Sequence, residues 1–107
     1  MSWNLLIHDD GEPLGDIADV TRKFDDAFRG LEWESLTEAA LPVDGGFRLE
    51  LTAEDGMVQD IYTHGAFHQI KELAALCRRE GWHIADAQEG EDIDLDDPQR
   101  WYDERSG

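Results

Sequence analysis

The sequence predicts a single α+β domain, a two-layer sandwich in which two amphipathic helices cover a mainly antiparallel sheet. Two stretches repeat apolar residues at helical spacing. Several short segments alternate apolar and polar residues, as a strand with one buried face does. An Asp-Gly turn joins two of these strands, which is typical of a hairpin. The length of 107 residues fits one domain over residues 1–107, with residues 96–107 as a peripheral C-terminal segment.

The first third of the chain predicts a strand, a helix and a second short strand. The first strand covers residues 3–8, because this apolar run is followed by turn-forming residues 9–13. Asp16 is the expected N-cap of the helix and Gly30 its expected end. The apolar positions at helical spacing are Ile17, Val20, Phe24, Ala27, Phe28 and Leu31. Residues 31–36 alternate and predict a short strand.

The rest of the chain predicts a hairpin, a second helix and two further strands. Phe47, Leu49 and Leu51 alternate with polar residues, and residues 57–63 form the partner strand after the turn at 53–56. The second helix ends before Gly81, and its apolar stripe contains Phe67, Ile70, Leu73, Ala74 and Cys77. Strands are predicted over 82–87 and 92–95, with a turn at 89–91. One shared core is expected, made of Ile17, Val20, Phe24, Phe28, Phe67, Ile70, Leu73 and Cys77 from the two stripes with Phe47, Leu49 and Leu51.

The charge of the chain excludes some partners and favours others. The 26 acidic residues outnumber the 9 basic ones, giving a formal net charge of -17. Phosphate backbones and anionic membranes are therefore disfavoured partners, and we expect no nucleic acid and no membrane. A basic protein is favoured, because opposite charge speeds its approach. The alternative is an acidic cytosolic protein whose charge serves solubility only.

The residues that usually perform chemistry give no catalytic pattern. Cys77 is the one cysteine, which excludes an intrachain disulfide and fits a reducing compartment. It lies on an apolar helix stripe, where a thiol is usually inert. The first ten residues lack the features of a signal peptide, so the expected location is cytoplasmic. With no phosphate-binding loop either, we predict no enzyme and no cofactor.

Two groups of residues are candidate metal sites. His64 and His68 have helical i, i+4 spacing, and Asp60 and Asp86 are candidate further ligands. Gly65, however, takes the place of the Glu in a His-Glu-x-x-His motif. A small metal- or ligand-binding domain that uses His64, His68 and nearby carboxylates therefore stays as the alternative function. Residues 92–97 match the first half of a calcium loop but lack its glycine, so no metal is predicted.

Aromatic residues among acids suggest where a basic partner binds. Trp101 and Tyr102 lie in the charged C-terminal segment, and Asp94, Asp96 and Asp97 precede them. Aromatic rings supply contact area and surrounding acids supply specificity. We therefore expect these five residues to form the partner-binding surface.

One segment resembles known proteins. Residues 81–95, which follow the amphipathic helix that starts near Phe67, read GWHIADAQEGEDIDL. Together with that helix, over residues 67–95, this segment resembles small uncharacterised bacterial proteins, some of them immunity-type proteins that block toxins. The resemblance covers about a quarter of the chain and implies no particular functional residues. It implies a non-enzymatic interaction protein, an inhibitor of a basic toxin or nuclease.

Overall fold

Runs of two or four strands are each followed by a single helix in the computed structural model, which describes residues 3–106. The strands of this part are β1 (Trp3–His8), β2 (Gly15–Asp16), β3 (Glu32–Trp33), β4 (Glu38–Ala40), β5 (Phe47–Glu54), β6 (Met57–Gly65), β7 (His83–Asp86) and β8 (Glu91–Asp92). Its helices are α1 (Ile17–Ala27), α2 (Ile70–Glu80) and α3 (Pro98–Ser106). Each of these helices is too short or too polar to cross a bilayer.

Within the described residues, all eight strands belong to one open antiparallel sheet. Its order is β3-β4-β5-β6-β1-β7-β8, and the short β2 pairs with β6. The predicted hairpin is confirmed as β5–β6, in which Leu51 lies opposite Ile61. β1 is central, because Ile7 lies opposite Ile61 on one side and Ile84 on the other. The predicted α+β sandwich with a mainly antiparallel sheet is therefore confirmed.

α1 begins where the sequence predicts and ends earlier. The Asp16 carboxylate accepts a hydrogen bond from Asp19 N at 2.8 Å and so caps the first turn. The helix ends at Ala27, because Phe28 adopts an extended conformation (φ -129°, ψ 97°). The Phe28 ring then packs edge-on against Phe47, with ring centroids 5.0 Å apart. Tertiary packing therefore ends this helix before Gly30.

α2 begins three residues later than its apolar stripe suggests. Phe67 is fully buried, stacks on Phe47 at 5.7 Å and has a positive φ of 55°, which a right-handed helix excludes. The helix therefore starts at Ile70. Its end matches the prediction: Gly81 adopts the left-handed conformation (φ 79°), and its N–H donates to the carbonyls of Cys77 and Arg78.

The core lies between the helices and one face of the sheet. Phe24 is fully buried, and its ring stacks between Phe28 at 6.2 Å and Trp82 at 6.3 Å. All members of the predicted core are buried except Ile17, which packs against the core and is partly exposed. The radius of gyration is 12.8 Å, close to the ~13 Å typical of a compact domain of this length.

The C-terminal part differs most from the prediction. The strand expected over 92–95 ends at Asp92, because the Asp94 carboxylate accepts a hydrogen bond from Asp96 N (2.9 Å) and turns the chain. The segment expected to be peripheral contains α3, which packs against α2. Trp101 of α3 belongs to the core. This segment is therefore part of the folded domain.

Candidate functional site

An acidic cleft lies between the β7–β8 hairpin and α3. It encloses a cavity of about 320 Å³ and contains six carboxylates and one guanidinium group. The lining residues of this acidic cleft are Asp86, Glu91, Asp92, Ile93, Asp94, Asp97, Arg100, Trp101 and Glu104. A cavity of this size falls at the lower end of the range for small-ligand pockets and is large enough to hold a side chain of a partner.

Asp86 forms the floor of the acidic cleft and orders the hairpin beside it. It is the last residue of β7, and its Oδ1 accepts hydrogen bonds from Gln88 N at 2.9 Å and Glu89 N at 3.3 Å. Its carbonyl oxygen accepts a third bond, from Gly90 N, at 2.7 Å. These bonds fix the turn between β7 and β8, and so they fix the position of Glu91 and Asp92 at the rim.

The same carboxylate holds α3 in place. Trp101 Nε1 donates to Asp86 Oδ2 at 3.1 Å, and both side chains are buried, with 7% and 1% of their surface exposed. A buried carboxylate is costly unless donors satisfy its oxygens, and bonds to a charged acceptor are stronger than neutral ones. The Trp101–Asp86 bond therefore ties the helix to the sheet and closes the floor of the cleft.

The rim of the acidic cleft is exposed and only partly neutralised. Asp92 Oδ1 is 3.1 Å from His8 Nε2, and Arg100 Nε is 3.2 Å from Glu104 Oε1. Asp94 and Asp97 are exposed to solvent and line the same cavity. Since the carboxylates outnumber the single guanidinium, the cleft attracts cationic groups.

The structure separates the five residues predicted to bind a partner. Asp94, Asp97 and Trp101 line the acidic cleft. Asp96 instead points towards α2, where its carboxylate pairs with Arg78 at 2.6 Å. Tyr102 is half-buried and packs against the His68 ring, with centroids 6.0 Å apart. Trp101, predicted as a partner-binding residue, is buried and forms part of the floor.

Other residues of the acidic cleft were missed as partner-binding residues. Alternation along β7 buries Ile84 and Asp86 on the same face. The sequence could have identified Asp86 as a functional candidate, because it places an acid at a buried position of a strand. Glu91 and Asp92 follow Asp86 through the hairpin turn. Glu104 gave no signal, because α3 itself was not predicted.

The histidine pair of the alternative function does not lie on one helix face. His64 is exposed near the end of β6, opposite Asn4 and Arg48. Gly65 ends that strand, so the chain between the two histidines is not helical. His68 precedes α2 and contacts α3 through Tyr102. Among the described residues, no group of three or more His, Cys, Asp or Glu side chains is arranged to hold a metal ion.

A second pair of histidines lies on neighbouring strands. His8 of β1 and His83 of β7 are register partners, and their rings stack at 5.4 Å. His83 Nε2 is 3.3 Å from Asp10 Oδ2, while His8 contacts Asp92 as described. These contacts connect the end of β1 to β8 and support the rim of the acidic cleft.

The single thiol is not placed for chemistry. Cys77 is fully buried on the inner face of α2. Burial raises the pKa of this thiol to about 12, because the thiolate would be poorly solvated. The nucleophilic form is therefore scarce at neutral pH.

Comparisons with protein-family models, with curated proteins and with solved structures find no match to this chain.

Proposed function

We propose that this chain is a non-enzymatic protein that binds a basic partner protein through the acidic cleft. The observation that carries the proposal is the arrangement of six carboxylates around a cavity of about 320 Å³ with a fixed floor. The floor is rigid because Asp86 satisfies both the hairpin turn and the Trp101 indole. A preorganised negative surface binds cations without the cost of ordering its own side chains.

The partner is a protein that presents lysine or arginine side chains. An arginine of the partner enters the acidic cleft, while Asp94 and Asp97 at the rim attract it during approach. Tyr102 and Asp96 lie on the other side of the same segment and have only a supporting role. Covering a basic site of the partner in this way would inhibit it.

More specifically, we propose that the chain is an immunity-type inhibitor of a basic toxin or nuclease and acts in the cytoplasm. The support for this form is the resemblance of residues 67–95 and the overall charge of -17. The single, buried Cys77 fits a reducing compartment. Co-production with a basic nuclease encoded by a neighbouring gene tests this form: restored growth supports it, and unrelieved toxicity contradicts it.

Binding kinetics test the acidic cleft with a defined probe, an arginine-rich peptide. Asp94→Asn combined with Asp97→Asn removes two rim charges and should slow association by roughly tenfold at low salt. The matched control, Asp44→Asn with Glu54→Gln, removes two exposed charges that do not line the acidic cleft and should have a much smaller effect. Raising the salt concentration should reduce the difference, since salt screens exposed charges.

The same experiment separates the proposal from the solubility alternative. If the two double variants slow association equally, the charge acts through the whole surface and the acidic cleft has no special role. Amide chemical shifts give a second readout, because the peptide should perturb residues 86–97 and 100–104. Perturbations spread evenly over the acidic surface would contradict the proposed site.

A further inference from the structure

A second groove lies on the opposite side of the segment that precedes α3. It is formed by the exposed stripe of α2 and by residues 95–99, and its cavity measures about 730 Å³. We call it the basic groove, and its lining residues are Lys71, Ala75, Arg78, Arg79, Leu95, Asp96, Asp97, Pro98 and Gln99. Asp97 also lines the acidic cleft, so the two sites share one wall.

The basic groove collects positive charge in a very acidic chain. Lys71, Arg78 and Arg79 are three of the nine Lys and Arg residues, against 26 acids. The dipole of α2 accounts for Arg78 and Arg79, which stand in its last turn. It does not account for Lys71, the second residue of the helix, where the dipole favours an acid. Lys71 also forms no ion pair with any residue from 3 to 106.

The cationic side chains of the basic groove stand at its two ends, with apolar residues between them and Asp96 and Asp97 on the adjoining segment. Lys71 precedes Arg78 and Arg79 by seven and eight residues, which corresponds to ~10–12 Å along a helix. Ala75 lies between them on the same stripe, and Leu95 and Pro98 face it from the adjoining segment. Arg78 is held across the groove by Asp96 at 2.6 Å, whereas Arg79 has a longer contact, 3.6 Å from its Nε to Glu80 Oε2, and Lys71 has none among the described residues, so Lys71 and Arg79 are the main cations for a ligand.

We infer that the basic groove binds an elongated organic dianion, a small molecule with carboxylates at both ends and an apolar chain between them. One carboxylate pairs with Lys71 and the other with Arg79. The methylene chain covers Ala75, Leu95 and Pro98, whose apolar surface is removed from water. A monoanion forms only one of these ion pairs, and a dication is repelled by both ends.

Titration of the full chain with decanedioate, followed by amide chemical shifts, tests this inference. The carboxylates of extended decanedioate have a separation similar to that of the two cationic ends. We expect saturable shifts at Ala75, Arg79, Leu95 and Gln99, weaker binding of decanoate, and no binding of the matching diamine. Equal affinity for decanoate and decanedioate, or shifts outside the basic groove, would overturn the assignment.

Charge variants give a second measurement. The substituted side chains are exposed, so the substitutions should leave the fold intact. Lys71→Gln and Arg79→Gln should each weaken decanedioate binding by about two- to fivefold, as expected for exposed ion pairs. Arg29→Gln makes the same charge change on an exposed residue outside the basic groove and should leave the affinity unchanged. An equal loss in Arg29→Gln would contradict the inference. Glu91→Gln, which removes an exposed charge of the acidic cleft and none of the basic groove, should also leave the decanedioate affinity unchanged, so the two sites are tested separately.

Discussion

Replacing Trp101 by alanine tests whether α3 is an integral part of the domain. The side chain is 7% exposed, and its indole N–H donates to the buried Asp86 carboxylate. Removal of a buried tryptophan side chain costs ~3–5 kcal/mol of unfolding free energy, because packing is lost and a cavity remains. The nine-residue α3 is too short to be stable alone, so its docking should weaken as well.

A conservative variant separates packing from hydrogen bonding. Trp101→Phe keeps an aromatic ring but removes the donor to Asp86, and leaving a buried acceptor without its partner costs ~1–3 kcal/mol. We therefore expect stability to decrease in the order wild type, Trp101→Phe, Trp101→Ala. Tyr62→Ala serves as the control, because Tyr62 is 51% exposed, and it should change stability by less than ~0.5 kcal/mol.

Urea unfolding followed by far-ultraviolet circular dichroism measures these differences. The signal reports the backbone and is not dominated by the other three tryptophans of the chain. A lower midpoint at constant slope gives the loss of stability directly. If Trp101→Ala unfolds within ~0.5 kcal/mol of the wild type, the ring does not anchor α3 and the floor of the acidic cleft is not built as described.

Three further predictions concern the core, the thiol and metals. Phe24→Ala should cost ~3–5 kcal/mol of unfolding free energy in the same urea assay, whereas Leu36→Ala, at a residue 78% exposed, should be nearly neutral. Cys77 should react with a thiol reagent only after unfolding. Burial raises the pKa of the Cys77 thiol from 9.0 to about 12, so between these pH values the thiol is ionised in the unfolded chain and protonated in the folded one. The free energy of unfolding should therefore fall as the pH rises through that range. A Cys77→Ala variant that shows the same fall would contradict this cause. Elemental analysis should find no stoichiometric zinc or calcium, and a chelator should leave the melting temperature unchanged; a bound ion lost in His64→Ala would favour the alternative function.

Local signals in the sequence determined most of the secondary structure. The four-residue spacing of Val20 and Phe24 places both on one face of a helix, and the alternation from Phe47 to Leu51 places its apolar residues on one face of a strand. Each spacing brings the apolar side chains to one buried face in only one type of secondary structure. Asp16 and Gly81 end their helices through their own backbone and side-chain chemistry. These features need no information from distant parts of the chain.

Tertiary contacts decided the strand order and the candidate site. The place of β1 between β6 and β7 depends on strands far apart in the sequence, and no local pattern encodes such a pairing. Phe67 takes a left-handed conformation because its ring stacks on Phe47. α3 carries mostly polar residues, so its periodicity gave no helix signal, and it is fixed by the bond from Trp101 to Asp86. The sequence by itself determined an acidic α+β domain. Only the fold decided that acids from β7, β8 and α3 surround one cavity, because a cleft depends on how several elements pack together.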